Sequence, residues 1–244
     1  MMILSRRDVV RLLAASMLLL LPATSGAQQP SPIGEKLAKT YGIESFGKIE
    51  AIRYTFDAQR PGADVSRSWI WEPKTDQVIY EGKDKSGKLV KVTYLRSQLS
   101  NHSADVKDEI DPNFVNDQYW LLFPFHLVWD TGVAVENAGM QKLPLGEGSA
   151  EKVVVKYSGE GGYSPGDIWE LYVGPDGRIQ ELIFRRGGPK QPSVVIASWA
   201  NYKKAGPLLL SLDHRGISDG QSVHIFFSNV AVKLAGSSTW MDAQ

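Results

Sequence analysis

The chain has 244 residues, with 27 Lys and Arg against 27 Asp and Glu and no cysteine. Balanced charge supplies no field that would gather a polyanion, so a nucleic-acid partner is disfavoured. With no disulfides to brace it, the fold has to rest on a hydrophobic core, which this length permits.

The N-terminus reads as an export signal. Arg6, Arg7 and Arg11 form a basic region, Leu12 to Leu21 a short apolar run, and Pro22 breaks it. Ser25-Gly26-Ala27 has the small side chains that a signal peptidase requires. About ten apolar residues cannot cross a ~30 Å hydrocarbon core as a helix. The expected organisation is a cleaved signal peptide over 1–27, a linker over 28–33 and one β-rich domain over 34–244, located in the periplasm. Arg6-Arg7 suits twin-arginine or general secretory export, because Val9 stands where the twin-arginine motif usually carries an aromatic. No cysteine is left to take a lipid after cleavage, so no stable membrane anchor is expected.

"GEKLAKTYG", Gly34 to Gly42, predicts a short amphipathic helix with Leu37 and Tyr41 on its apolar side. A four-strand meander follows. Ile52, Tyr54 and Phe56 share one face of "IEAIRYTF", and Val65, Trp69 and Trp71 share one face of "VSRSWIWEP", which Pro73 stops. "QVIYEG" and "KLVKVTYL" complete it across the turn-rich "KDKSGK". The acidic run Asp108, Glu109 and Asp111 reads as a solvated loop.

The stretch "FVNDQYWLLFPFHLVWD", Phe114 to Asp130, interrupts the β pattern with six aromatic residues. Asn113 or Asn116 as the cap, with Asp117 in the first turn, predicts a helix. Pro124 disfavours helical geometry at Phe123, giving two short turns with a bend that close near Gly132. Strands resume in "KVVVKYSG", in "DIWELYV" and "RIQELIFRR" around a Pro-Asp-Gly turn, and in "SVVIASWANY", "GPLLLSLDH" and "QSVHIFFSNVAVKL". The fold class is mainly β (α+β): a strongly curved antiparallel sheet or incomplete β-barrel of about 9–11 strands with a short helical lid or insertion.

Only eight uncharged residues separate Asp117 from His126, too few to span a membrane. A helix lying on one sheet needs an apolar stripe of about three positions in seven. Tyr119 to Trp129 is apolar on every side, so either a curved sheet encloses it or one face meets a ligand. The order of short helix, meander, aromatic helical insertion and returning strands resembles the periplasmic lipoprotein-carrier and lipoprotein-receptor fold, a half-open barrel whose helical lid covers acyl chains. In detail "WIWEP", "NDQYWLLFPF", "GYSPGDIWELYV" and "FRRGG" look closer to an uncharacterised exported family. The resemblance and the surplus of aromatics together imply a hydrophobic or amphipathic ligand, lipid or lipoprotein acyl chains first, in a concave apolar cavity. Trp69, Trp71, Tyr119, Trp120, Phe123, Phe125 and Trp129 are the candidate ligand-binding residues.

Signals for catalysis are thin. His214 and His224 flank "RGISDGQS" and are placed to face each other across adjacent strands, near Asp213 or Asp219, yet without the spacing of a metal centre. Gly162-Tyr163-Ser164-Pro165-Gly166 has the nucleophile-elbow spacing, but Pro165 offers no N–H to an oxyanion hole and a strand follows. A tight loop capped by Asp167 accounts for it. Arg185 and Arg186 end a strand on opposite faces, one of them available to an anionic headgroup. No catalytic residue, metal or cofactor is assigned, and binding is favoured over catalysis. The alternatives are a hydrolase or metal-dependent enzyme using His126, Asp130, His214 or His224, with His102 the remaining histidine, and an interaction module docking through a sheet edge. Edman sequencing of the mature protein from the soluble periplasmic fraction is expected to begin at Gln28. Met1 retained on a membrane-bound product contradicts the export signal.

Overall fold

The computed structural model describes residues 31–84, 86–159, 163–187 and 193–244. The signal-peptide expectation over 1–27, and Gly162 and Gly188 of two motifs, lie outside the described residues. Helix α1 (Pro32–Thr40) starts two residues before Gly34, inside the expected linker. Ser31 Oγ accepts the Gly34 N–H at 3.0 Å, and Pro32 occupies the first turn, where no amide donor is needed. Gly42, at φ 96°, turns the chain into the short α2 (Ile43–Phe46). A Cβ there would lie 2.4 Å from the Pro207 carbonyl oxygen, so only glycine fits.

Among the described residues thirteen strands form one antiparallel sheet. β1 (Ile49–Arg60), β2 (Ala63–Glu72), β3 (Gln77–Lys83) and β4 (Leu89–Leu95) are the expected first meander. β5 (Val133–Lys142), β6 (Ser149–Tyr157), β7 (Ile168–Val173), β8 (Ile179–Arg186) and β9 (Ser193–Ser198) form a second. The turn between β7 and β8 is the Pro-Asp-Gly turn, with Gly177 at φ 77°. β10 (Ala200–Ala205), β11 (Leu208–Ser218), β12 (Gln221–Leu234) and β13 (Trp240–Asp242) complete the sheet, and β12 joins the meanders by pairing with β1. The order is β4-β3-β2-β1-β12-β11-β9-β8-β7-β6-β5, with β10 beside β11 and β13 beside β12.

The strand count exceeds the expected 9–11 for local reasons. β5 carries almost no buried side chain, being an edge strand exposed on both faces, so no alternation marks it in the sequence. The single strand expected over "SVVIASWANY" divides at Trp199, whose N–H still reaches the Gln180 carbonyl of β8 at 2.8 Å, while from Ala200 on the chain pairs with β11.

β4 and β5 are the two free edges, so the chain between them has to cross the sheet. A 3₁₀ stretch (Arg96–Asn101) and a π turn (Val106–Ile110) lead into α3 (Asp111–Trp129). The expected two helical pieces with a bend are present, but together they run for 19 residues, and no side chain caps the N-terminus; Asn113, Asn116 and Asp117 lie within the helix. The distortion falls at Leu122 (φ −115°), two residues before Pro124. Phe114 packs on Trp69 and Trp71 of β2, with ring centroids 5.4 and 6.0 Å apart. One and a half turns further, Trp120 packs on Trp169 of β7 at 5.6 Å. Strands that far apart in the sheet reach one helix only if the sheet curls around it. The sheet is therefore strongly curved and unclosed, with α3 in its concave face.

Two carboxylates are enclosed with the helix. Asp117 has no exposed surface; Arg67 of β2 donates to both of its oxygens at 2.7 and 2.6 Å, and the Trp69 indole N–H adds a bond at 2.9 Å. Burial pushes the Asp117 pKa up, against the pull of Arg67. Asp111, expected in a solvated loop, is likewise unexposed and accepts from Arg96, Tyr94 and Tyr163 at 2.9, 3.0 and 3.2 Å. Removing one partner strands a buried charge, so Arg67→Ala should cost about 3–5 kcal/mol in denaturant unfolding. The double variant Arg67→Met with Asp117→Leu is expected to recover most of that loss.

Candidate functional site

The structure brings the seven sequence-predicted residues into one continuous apolar core. Trp69, Trp71, Tyr119, Trp120, Phe123 and Phe125 are all buried, and Trp129 is half-buried. Phe123 stacks on Trp169 at 4.2 Å, and Phe125 on Trp129 at 5.4 Å. Trp120 sits among Trp169, Phe184, Trp199 and His214. The sheet supplies most of the partners of α3, so the helix itself occupies the concave face.

Among the described residues, buried polar atoms of this interior without a hydrogen-bond partner include Tyr54 Oη, Trp71 Nε1, Trp169 Nε1 and His126 Nε2. Unpaired buried donors and acceptors are rare in native cores.

The C-terminal end of α3 is tied down by Asp130. Its carboxylate accepts from Tyr119 at 2.6 Å and Tyr157 of β6 at 3.0 Å, and lies 3.0 Å from His126 Nδ1. Burial works to raise the Asp130 pKa, but these hydrogen bonds prevail and hold it below the usual carboxylate range. Burial and the Asp130 charge drive the Tyr119 and Tyr157 phenols up. Tyr119 stacks on the His126 ring at 3.8 Å, covering the imidazole face.

The other histidines are dispersed. His214 and His224 do not face each other: His214 pairs across the ladder with Ile225 and His224 with Arg215, one register step apart and so on opposite faces. His224 Nε2 lies 2.7 Å from Asp213 on the outer face, and Asp219 accepts from Ser193 and the Val194 N–H. His102 lies edge-on to Tyr94 at 5.9 Å. Among the described residues no group of three or more His, Asp or Glu is placed to hold a metal ion. Ser164 is buried beside Tyr119, and Asp167 ties its loop to the end of β8 by accepting the Gly187 N–H at 2.6 Å. Arg185 pairs with Glu170 at 2.6 Å, and Arg186 is exposed.

A cavity of about 290 Å³ lies beside α1. Leu37 of α1, Val153 of β6 and Val173 of β7 form its buried inner wall, and Lys36, Thr40, Glu151 and Asp176 its rim. Glu151 accepts from Asn137, and Asp176 pairs with Arg178. The inner wall belongs to the same core as the aromatic cluster. Sequence pattern placed Leu37 on an apolar face; that Val153 and Val173 meet it has no local signal.

Solved structures similar to the chain include three that cover most of its length. A DUF1329 family protein from Desulfovibrio piger is 10% identical over 86% of this chain and 96% of its own, at a TM-score of 0.44. LprF from Mycobacterium bovis is 14% identical, covering 87% and 97%, at 0.29. A chain of the Pseudomonas aeruginosa MucA/MucB complex is 11% identical, covering 87% and 98%, at 0.22. At these TM-scores the likeness says nothing about ligand or activity. No known family profile matches the chain, and no curated protein matches it by sequence.

His214, fully buried, carries a clear pH consequence. Burial pushes its pKa down to about 3, against the Ser198 and Trp120 carbonyls, which favour a proton on the ring. The Trp120 carbonyl is the one that Pro124, with no N–H, cannot satisfy within the helix. Unfolded His214 takes up a proton below about pH 6.5, and the folded ring resists it. This contribution is therefore complete above pH 6.5 and lost as the pH falls toward 3. It should cost about 2 kcal/mol between pH 6.5 and 5, a slope that His214→Gln removes in urea titrations at stepped pH.

Proposed function

We propose that this is an exported periplasmic protein that binds an amphipathic ligand carrying an acyl chain and performs no catalysis. The observation that carries the reading is the cavity beside α1, whose apolar inner wall continues into the aromatic core. A cavity of about 290 Å³ lies at the lower end of ligand pockets, ~300–1,000 Å³. It takes the end of one acyl chain, with a polar head left at the rim, where exposed Lys36 stands with Thr40, Glu151 and Asp176. α1 crosses α3 closely at Gly34, where a Cβ would lie 3.2 Å from the Leu127 carbonyl oxygen. A small outward movement of α1 extends the cavity toward Leu127 and Phe125. A longer chain then runs along Trp71, Tyr119, Trp120, Phe123, Phe125 and Trp129, with Trp69 behind them.

Native mass spectrometry of freshly purified protein should show co-purifying lipid, and a fluorescent fatty-acyl probe should bind with micromolar affinity. Val153→Phe, which fills the cavity, is expected to weaken the probe at least tenfold with a modest change in unfolding midpoint. Trp120→Ala instead should cost about 3–5 kcal/mol of stability, because that side chain holds the core together. Wild-type protein that carries no lipid and binds no probe rules the reading out.

A further inference from the structure

The outer face of the sheet carries a second pocket, about 230 Å³ in volume, independent of the acyl-chain reading. Because side chains alternate along a strand, the residues between Tyr54, Trp69 and Tyr80 point away from α3. Register aligns them in two adjacent rows across β1, β2, β3 and β4: Arg53–Ile70–Ile79, and Thr55–Ser68–Glu81–Lys91.

A β-bulge shapes one end. Arg53 pairs with Ala231 but Thr55 with Ser228, so β12 carries an extra residue opposite Tyr54. Asn229 takes up the bulge at φ 54°, and its amide donates to Thr55 Oγ1 at 3.3 Å. Thr55 Oγ1 also lies 2.9 Å from Ser68 Oγ, and Thr55 is buried although it faces outward. Bulges of this kind re-aim side chains next to binding sites.

The charges around the pocket cancel. Arg53 donates to Asp242 at 2.7 Å and lies over the Trp240 ring at 4.8 Å; Lys91 pairs with Glu81 at 3.4 Å. The arginine is thereby held in place at the edge of the pocket.

We propose that this pocket binds a neutral polyhydroxylated ligand, a single sugar ring. Compensated charges give an anion no net attraction. Two hydroxyls able to donate or accept, an amide and a carboxylate suit a run of neighbouring hydroxyl groups. Ile70 and Ile79 offer an apolar floor to the C–H face of the ring. The volume equals roughly seven or eight waters at ~30 Å³ each, enough for one hexose.

Saturation-transfer NMR with glucose, galactose, mannose and N-acetylglucosamine, and with acetate and phosphate as anionic controls, tests the site on the full mature chain. At least one sugar should show transfer at millimolar concentration. Asn229→Gly, which keeps the positive φ, and Ser68→Ala should each weaken it at least tenfold while leaving the fatty-acyl probe and the unfolding midpoint unchanged. No transfer to any sugar, undiminished transfer in both variants, or transfer confined to the anions overturns the proposal.

Discussion

A helix that is apolar on every side has to be enclosed, and enclosing α3 sets the form of this molecule. The helix joins the two free edges of the sheet, β4 and β5, so its path crosses the concave face. Trp69 and Trp71 approach it from one half of the sheet, and Trp169, Phe184 and Trp199 from the other. Each large ring buried is worth about 1.5–3 kcal/mol, and that gain requires both halves of the sheet to bend inward. Curvature and incomplete closure follow from one requirement, because a closed barrel of these strands would leave no way in for the connection.

Enclosure brings a difficulty of its own, since carboxylates travel inward with the rings. Asp111, Asp117 and Asp130 anchor α3 near its start, in its first half and at its end, to β4, β2 and β6 respectively. Each receives several donors, which offsets the cost of taking a charge out of water. These anchors hold α3 as a fixed wall of the interior. α1 is tied to the sheet at its C-terminal end, where Tyr41 Oη accepts the Ile179 N–H at 2.9 Å and lies 2.8 Å from Tyr202 Oη; its N-terminal end meets α3 at small Gly34.

The alternation of strands gives the two faces separate chemistry. On the first meander the inward positions are Tyr54, Trp69 and Tyr80, and the intervening positions build a polar pocket on the outside. The bulge at Asn229 interrupts this alternation beside the pocket, at the junction of the two meanders.

By itself the sequence determined the elements whose signals are local. Alternating Ile52, Tyr54 and Phe56, the Trp69/Trp71 pair, the Pro-Asp-Gly turn and the glycine that ends α1 are all as expected, because period, turn chemistry and positive φ are written into neighbouring residues. The all-round apolarity of Tyr119 to Trp129 already required a curved sheet or a ligand to cover it. β5 was illegible, since an edge strand exposed on both faces keeps no alternation. Only the tertiary structure decided which charges are buried and with whom: Asp117 meets Arg67 from 50 residues away, and Asp111 is taken out of the solvent that an acidic run suggests. It also placed His214 inside and His224 outside, because strand register, and not proximity in the chain, assigns faces. The cavity beside α1 belongs to the same class. Its wall joins Leu37, Val153 and Val173, which share no pattern in the sequence and meet only once the sheet has curled.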